Sequence, residues 1–207
     1  MRRPAHATAA MLAAVLLAGC QPTATPTSPT PTSPSASTVS PVPTPTYQCT
    51  PEAGGEATPC TQIQHEDMKA KDRLYAEAEA VYREFFAENV RISRAGGVTE
   101  PTDVILATTD GIAREEAMAA FGDLVESATH AEGEDPKVTI HRAPGLSRGG
   151  SIVTLRTCVD STGWRFYRGK ELVSEPGLGE DRIYFSRIGQ RLKMTYVEGR
   201  EVDTCDV

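Results

Sequence analysis

Between Gln21 and Thr46 the chain has no means of building a core. Of these 26 residues 21 are Pro, Ser or Thr, none is charged, and the two sizeable apolar side chains are Val39 and Val42. Eight prolines remove backbone donors and hold φ near the polyproline II value, so the segment reads as an extended, semi-rigid spacer of about 3.1 Å per residue, on the order of 80 Å at full stretch. Ser/Thr-Pro tracts of this kind also suit O-glycosylated stalks. Folding is therefore confined to residues 47–207, enough chain for one domain that buries roughly 70% of the surface its unfolded form exposes.

Upstream of the spacer, Arg2 and Arg3 precede an uncharged small-apolar run from Ala7 to Gly19, too short to span a bilayer and ending in small residues. Residues 1–19 are thus expected to be a cleaved signal peptide. The string Leu17-Ala18-Gly19-Cys20 resembles the lipobox of bacterial lipoproteins. That resemblance implies a diacylglyceryl group on the Cys20 thiol and cleavage just before it. It further implies a membrane as partner through the Cys20 anchor, on the outer face of the cytoplasmic membrane. The alternative is a plain secretory peptide followed by a chance cysteine.

Removing residues 1–19 takes two arginines with it and moves the formal net charge from -7 to -9. The basic footprint of a nucleic-acid binder is absent. From Tyr47 to Asp135 there are 7 Lys/Arg against 19 Asp/Glu, and from Pro136 to Val207 there are 12 against 9. Acidic outer faces on two amphipathic helices account for that asymmetry without a partner.

With Cys20 assigned to lipid, Cys49, Cys60, Cys158 and Cys205 remain, an even number in a chain exported to an oxidising compartment. They allow three connectivities, and spacing alone does not choose among them. The preferred pairing is Cys49–Cys60, neighbours in a loop without apolar content, and Cys158–Cys205, which clips the last strand to the middle of a sheet. A zinc site is the alternative, but no C-x-x-C is present and His65, His130 and His141 keep no ligand spacing with the cysteines. No cofactor and no metal are expected.

Thr61-x-x-Gln64 has the form of a capping box, and Met68, Leu74, Tyr75, Ala78, Val81, Tyr82 and Phe85 recur at steps of three and four, which predicts a helix from about Thr61 to Glu88. A second helix is predicted from near Gly111, with Asp110 as cap and Ala113, Ala117, Ala120, Phe121, Leu124 and Ala128 along one side, fading before Gly133. Beyond Asp135 the period becomes two. Val138 and Ile140, then Val153, Leu155 and Val159, then Ile183 and Phe185, then Leu192, Met194 and Tyr196 each alternate with polar neighbours. With no βαβ alternation, the expected class is α+β: N-terminal helices packed on a curved antiparallel sheet of four to five strands.

That order of elements resembles the cystatin-like cone of the NTF2-like superfamily. Together with the lipobox, the linker and the string Leu155-Arg156-Thr157-Cys158-Val159-Asp160-Ser161-Thr162-Gly163-Trp164, it looks like small lipoproteins of high-GC Gram-positive bacteria. Active members of the superfamily are isomerases, dehydratases and cyclases using Asp, His and Tyr inside the cone. None of their motifs matches this chain residue by residue.

No G-x-S-x-G, H-E-x-x-H, Walker A or G-x-G-x-x-G is present. Gly145 to Gly150, with Arg148 inside, reads as a hairpin turn before it reads as an anion cradle. His141 falls on the strand face opposite Val138 and Ile140, a solvent-facing position; an acid/base group with Tyr82 and Asp110 is the alternative. Leu74, Ala78, Phe85, Ala117, Phe121, Val153, Leu155, Val159 and Phe185 are assigned to the interior, with tyrosine the one polar-tipped type there. The expectation is a non-catalytic binding or interaction module of the cell envelope, its partner an envelope protein or a small apolar ligand. The alternatives are an NTF2-like enzyme working by acid–base chemistry and a structural wall component.

Overall fold

The structure, a computed structural model, describes residues 46–205. Cys20, the signal segment and the spacer up to residue 45 lie outside the described residues. The chain enters through a hairpin of β1 (Tyr47–Cys49) and β2 (Thr58–Cys60), closed by the Cys49–Cys60 disulfide.

Thr61 then caps α1 (Gln62–Ala95). Its hydroxyl accepts from the Gln64 amide at 3.3 Å, and the Gln64 side chain accepts from the Thr61 amide at 2.9 Å, so two orphan donors are satisfied reciprocally. The helix continues well past Glu88, where it was expected to end. The reason is that Phe85, Asn89 and Ile92 extend the inward stripe, and Ile92 is fully buried with Ile105 and Phe121 in a second core cluster. Glu88, buried in mid-helix, is gripped by Arg91 through two 2.7 Å bonds, which hold its carboxyl below the usual range. Termination comes at Gly96 and Gly97, whose positive φ values of 85° and 93° turn the chain away.

A short α2 (Asp103–Thr108), capped by Thr102, occupies a stretch for which the sequence predicts no element, and α3 (Gly111–Glu126) follows. Asp110 stands at the N-cap of α3 with the expected backbone, but its carboxylate pairs with Arg114 and makes no capping bond. The joint between α2 and α3 is pinned to the sheet by a Thr109–Met194 bridge and by the Asp110 amide donating to the Met194 carbonyl at 2.8 Å.

The remainder is antiparallel: β3 (Thr129–Gly133), β4 (Lys137–Arg142), β5 (Val153–Asp160), β6 (Trp164–Arg168), β7 (Glu171–Ser174), β8 (Leu178–Ile188) and β9 (Arg191–Val202). The principal sheet has the order β4-β5-β8-β9 and a second sheet the order β3-β6-β7. The expected four alternating segments are the four strands of the principal sheet. The other five strands among the described residues exceed the expected number because they are short, three to five residues each, and β7 is exposed along its whole length. The class is α+β, with helices packed against antiparallel sheet. Tyr75, Ala78, Tyr82, Leu155, Ile183, Phe185 and Met194 form the main core between α1, α3 and the inward face of the principal sheet.

β9 carries a correction. Its register against β8 shifts between Tyr184 and Phe185, so Phe185 faces Met194 while Tyr184 faces Tyr196. The extra residue reverses the phase. Leu192 and Met194 point inward as expected, but Tyr196 turns outward to pack edge-on against Tyr184, and Val197 takes the inward position. On the outer face, Cys158 bonds Cys205, which carries the tail beyond β9 back to β5, beside the ion pair of Arg200 with buried Glu180.

Candidate functional site

Where α1 and α3 lie over the lower ends of β5, β8 and β9, they leave an open cleft of about 380 Å³. That volume falls within the range of small-molecule sites. α1 contributes Tyr82, Phe85, Phe86 and Asn89, one helical face at steps of three and four; α3 contributes Ala113, Glu116 and Ala117. The sheet contributes Val159, Leu178, Asp181, Met194, Val197 and Glu201.

Asp181 is the unexpected member. Tyrosine is the one polar-tipped type the sequence places in the interior, yet Asp181 shares the inward phase of Ile183 and Phe185 two and four residues on. Register places it opposite Thr157 of β5 and Gly199 of β9. A Cβ at residue 199 would stand 2.7 Å from Asp181 Oδ1, so the carboxylate occupies room that only a glycine leaves. Burial raises the Asp181 carboxyl above its usual pKa, with Glu180 adding to the shift and Thr157 opposing it.

Tyr82 is 4% exposed and Thr157 is completely buried. Burial pushes the Tyr82 hydroxyl far above its ordinary pKa; nearby Thr157 opposes the shift and Asp181 adds to it. The Thr157 hydroxyl thus lies close enough to both neighbours to act on their ionisation, but it makes no hydrogen bond in this geometry. A phenol and a carboxyl therefore line a mostly apolar cleft, with the fully buried Thr157 alcohol beside them and outside the lining. Near neutral pH Tyr82 donates hydrogen bonds and is no base, while Asp181 is able to accept a hydrogen bond, face a cation or exchange a proton.

His141 does not join this group. It shares the outward side of β4 with its partner Arg156, and it lines a different hollow together with residues 50–54, Asp72 and Arg142. It is half-buried rather than solvent-facing, and its Nε2 is enclosed without a partner. Asp110 is occupied by Arg114. Arg148 in the Gly145–Gly150 turn pairs with Glu198 and stacks on the Tyr196 ring at 3.5 Å, so it is committed to the protein's own groups. The sulfurs of Cys49 and Cys60 and a ring nitrogen of His65 lie within 4.8 Å of one another, but the disulfide leaves no thiolate there to ligate a metal. Among the described residues no helix is long and apolar enough to cross a membrane.

Asp181→Asn is expected to stabilise the domain at pH 7 and to lose that advantage in acid. A carboxyl whose folded pKa is raised binds more protons in the native state than in the unfolded one. Its ionisation therefore costs stability as pH climbs from the unfolded value of 3.8 through the raised folded value. Thermal melts should show a gain of roughly 2–4 °C at pH 7, the shift about 1 kcal/mol gives in a domain of this size. Equal melting temperatures for the two proteins at pH 7 would contradict the burial argument.

Comparison of the chain with protein-family models, curated proteins and solved structures gives no match.

Proposed function

We propose that this protein is an envelope lipoprotein, tethered through Cys20 and the Pro/Ser/Thr spacer, whose folded domain is a binding module of the NTF2-like kind that takes a small molecule in the α1–α3–sheet cleft. The observation that carries this reading is the cleft itself, with mostly apolar walls, Tyr82 and Asp181 in its lining and the buried Thr157 beside them. Concave, mostly apolar sites with a few convergent polar groups are where proteins hold small ligands. Two disulfides within the described residues fit an oxidising compartment. The long helix over the inward face of an antiparallel sheet supports the cone as its architecture. A second reading, acid–base catalysis in the cleft, is favoured by one feature: a carboxyl of raised pKa beside a tyrosine hydroxyl.

The test is an NMR fragment screen on the full chain, carrying Cys20→Ala and refolded under oxidising conditions. Fragments that bind should shift the amides of Gly177 and Gly179, which line the cleft. Binding restricted to the outer face of the sheet, or none at all, removes the reading. A fragment recovered chemically changed after incubation with this protein, and unchanged with the Asp181→Asn variant, favours the enzyme. For the tether, fractionation of producing cells with intact-mass analysis should find a lipid adduct on a chain that begins at Cys20; an unmodified Cys20 removes that part.

A further inference from the structure

Every charged side chain on the cleft's walls is negative. Glu116 of α3 and Glu201 of β9 are exposed, Asp181 lies deeper, and no Lys, Arg or His joins them, although the chain holds 21 Lys and Arg. Among the described residues none of the three carboxylates is in an ion pair, while the arginines near the cleft's ends are committed elsewhere: Arg114 to Asp110 and Arg200 to Glu180. The protein therefore supplies no counter-charge of its own for Asp181. Next to it the Thr157 hydroxyl is fully enclosed and unpartnered; it can donate as well as accept, so it sets no sign of its own. Aromatic walls add a second observation, since Tyr82, Phe85 and Phe86 line the cleft and aromatic rings attract cations.

We infer that the ligand of this cleft is an organic cation: a protonated or quaternary amine seated against Asp181, with an apolar body of about indole size held by Phe85, Phe86 and Met194. The inference rests on the binding reading above and adds the charge and class of the ligand. An anionic ligand meets three carboxylates and no cation. A neutral apolar ligand leaves Asp181 further desolvated with nothing in exchange. An inorganic divalent ion asks for several converging oxygens, and the three carboxylates do not converge: among the described residues the single tight group of potential ligands is the Cys49–Cys60–His65 set. Aromatic walls with one carboxylate suit a bulky, weakly hydrated cation instead.

Three probes that share one aromatic body separate these cases: tryptamine (cation), tryptophol (neutral) and indole-3-acetate (anion). They are titrated by NMR into the full chain carrying Cys20→Ala at about pH 8, which leaves the amine protonated and lies well above the ordinary carboxylate range. Tryptamine is expected to bind at least tenfold more tightly than tryptophol, with indole-3-acetate weakest, and all shifts should centre on the Gly177 and Gly179 amides. In Asp181→Asn, tryptamine should fall to within about threefold of tryptophol while tryptophol is unchanged, a split that mere loss of structure does not give. Tryptophol binding as tightly as tryptamine, or indole-3-acetate binding best, overturns the charge inference and leaves the binding reading standing. Equal losses for tryptamine and tryptophol in Asp181→Asn also overturn it, since the carboxylate would then be shaping the cleft and not reading charge. If none of the three binds, both fall.

Discussion

Cys158→Ser is expected to lower the unfolding free energy by about 4 kcal/mol, and Cys205→Ser by the same amount, because one bond is lost in either case. The bond spans 47 positions, and the chain-entropy model makes a loop of that length worth about 4 kcal/mol in the unfolded state, against about 3 for the 11-position span of Cys49–Cys60. Native context widens the gap. Cys158 is buried on a central strand of the principal sheet, flanked by β4 and β8, whereas Cys49 and Cys60 sit in a two-strand hairpin outside both core clusters. Without the bond, residues 203–205 have no regular structure to hold them to β5, and the cover over Glu180 loosens. Urea titrations with unchanged slopes measure the effect, and the double variant Cys158→Ser/Cys205→Ser should match each single one. A Cys49→Ser variant that lost as much as Cys158→Ser would contradict this ordering.

Gly97→Ala is expected to cost about 3 kcal/mol. The residue follows the α1 terminus with φ of 93°, a conformation that costs a side chain roughly 1 kcal/mol or more. Steric contact costs more than this strain. An added methyl would stand 2.9 Å from Leu124 Cβ and 2.9 Å from Val125 Cγ2, and closer still to the Phe121 carbonyl oxygen, so α3 must back away from α1 and open the cluster of Ile92, Ile105 and Phe121. Overpacking of that kind typically adds 1–3 kcal/mol. Gly189 in the β8–β9 turn is the control: its φ of 60° is also left-handed, but nothing lies within 4 Å of a Cβ there. Gly189→Ala should cost about 1 kcal/mol, from strain alone. Equal losses for the two would mean that the α1–α3 approach carries no weight.

How far this fold is legible in its sequence depends on which physical signal each element emits. The capping box at Thr61 and the alternation of β4, β5, β8 and β9 are local patterns, and local pattern suffices for them. β3, β6 and β7 are held by pairing with one another; β7 is wholly exposed, and the alternation of β6 over Trp164, Arg165 and Phe166 is too short to stand out. The reversal at Tyr196 arises from one bulged residue whose presence only cross-strand register reveals. Two of the three polar members of the site follow from strand phase. Carrying the phase of Leu155 and Val159 to the residue between them lands on Thr157, and carrying that of Ile183 and Phe185 back by two lands on Asp181. Both are passed over when polar residues are taken as outward by default. Tyr82 was legible as part of the α1 stripe; that its neighbour would be a carboxylate depended on pairing across strands.

The Cys49–Cys60 bond also decides how the domain meets mechanical load. A pull on the chain ahead of Tyr47 reaches Cys49 after two residues, crosses the sulfurs to Cys60 and passes through Thr61 into the first turn of α1. Residues 50–59 are bypassed and carry no tension. The contacts they make with α1, among them Thr50 with Met68 and Glu52 with Lys71 and Tyr75, are therefore spared from being peeled away in sequence. The pairs of Tyr47 with Cys60 and Gln48 with Pro59, and the contacts of Tyr47 and Gln48 with His65, lie outside the bond and yield to the first extension. Past that point force arrives at a 34-residue helix bedded in both core clusters, which must shear as a unit before the interior is exposed.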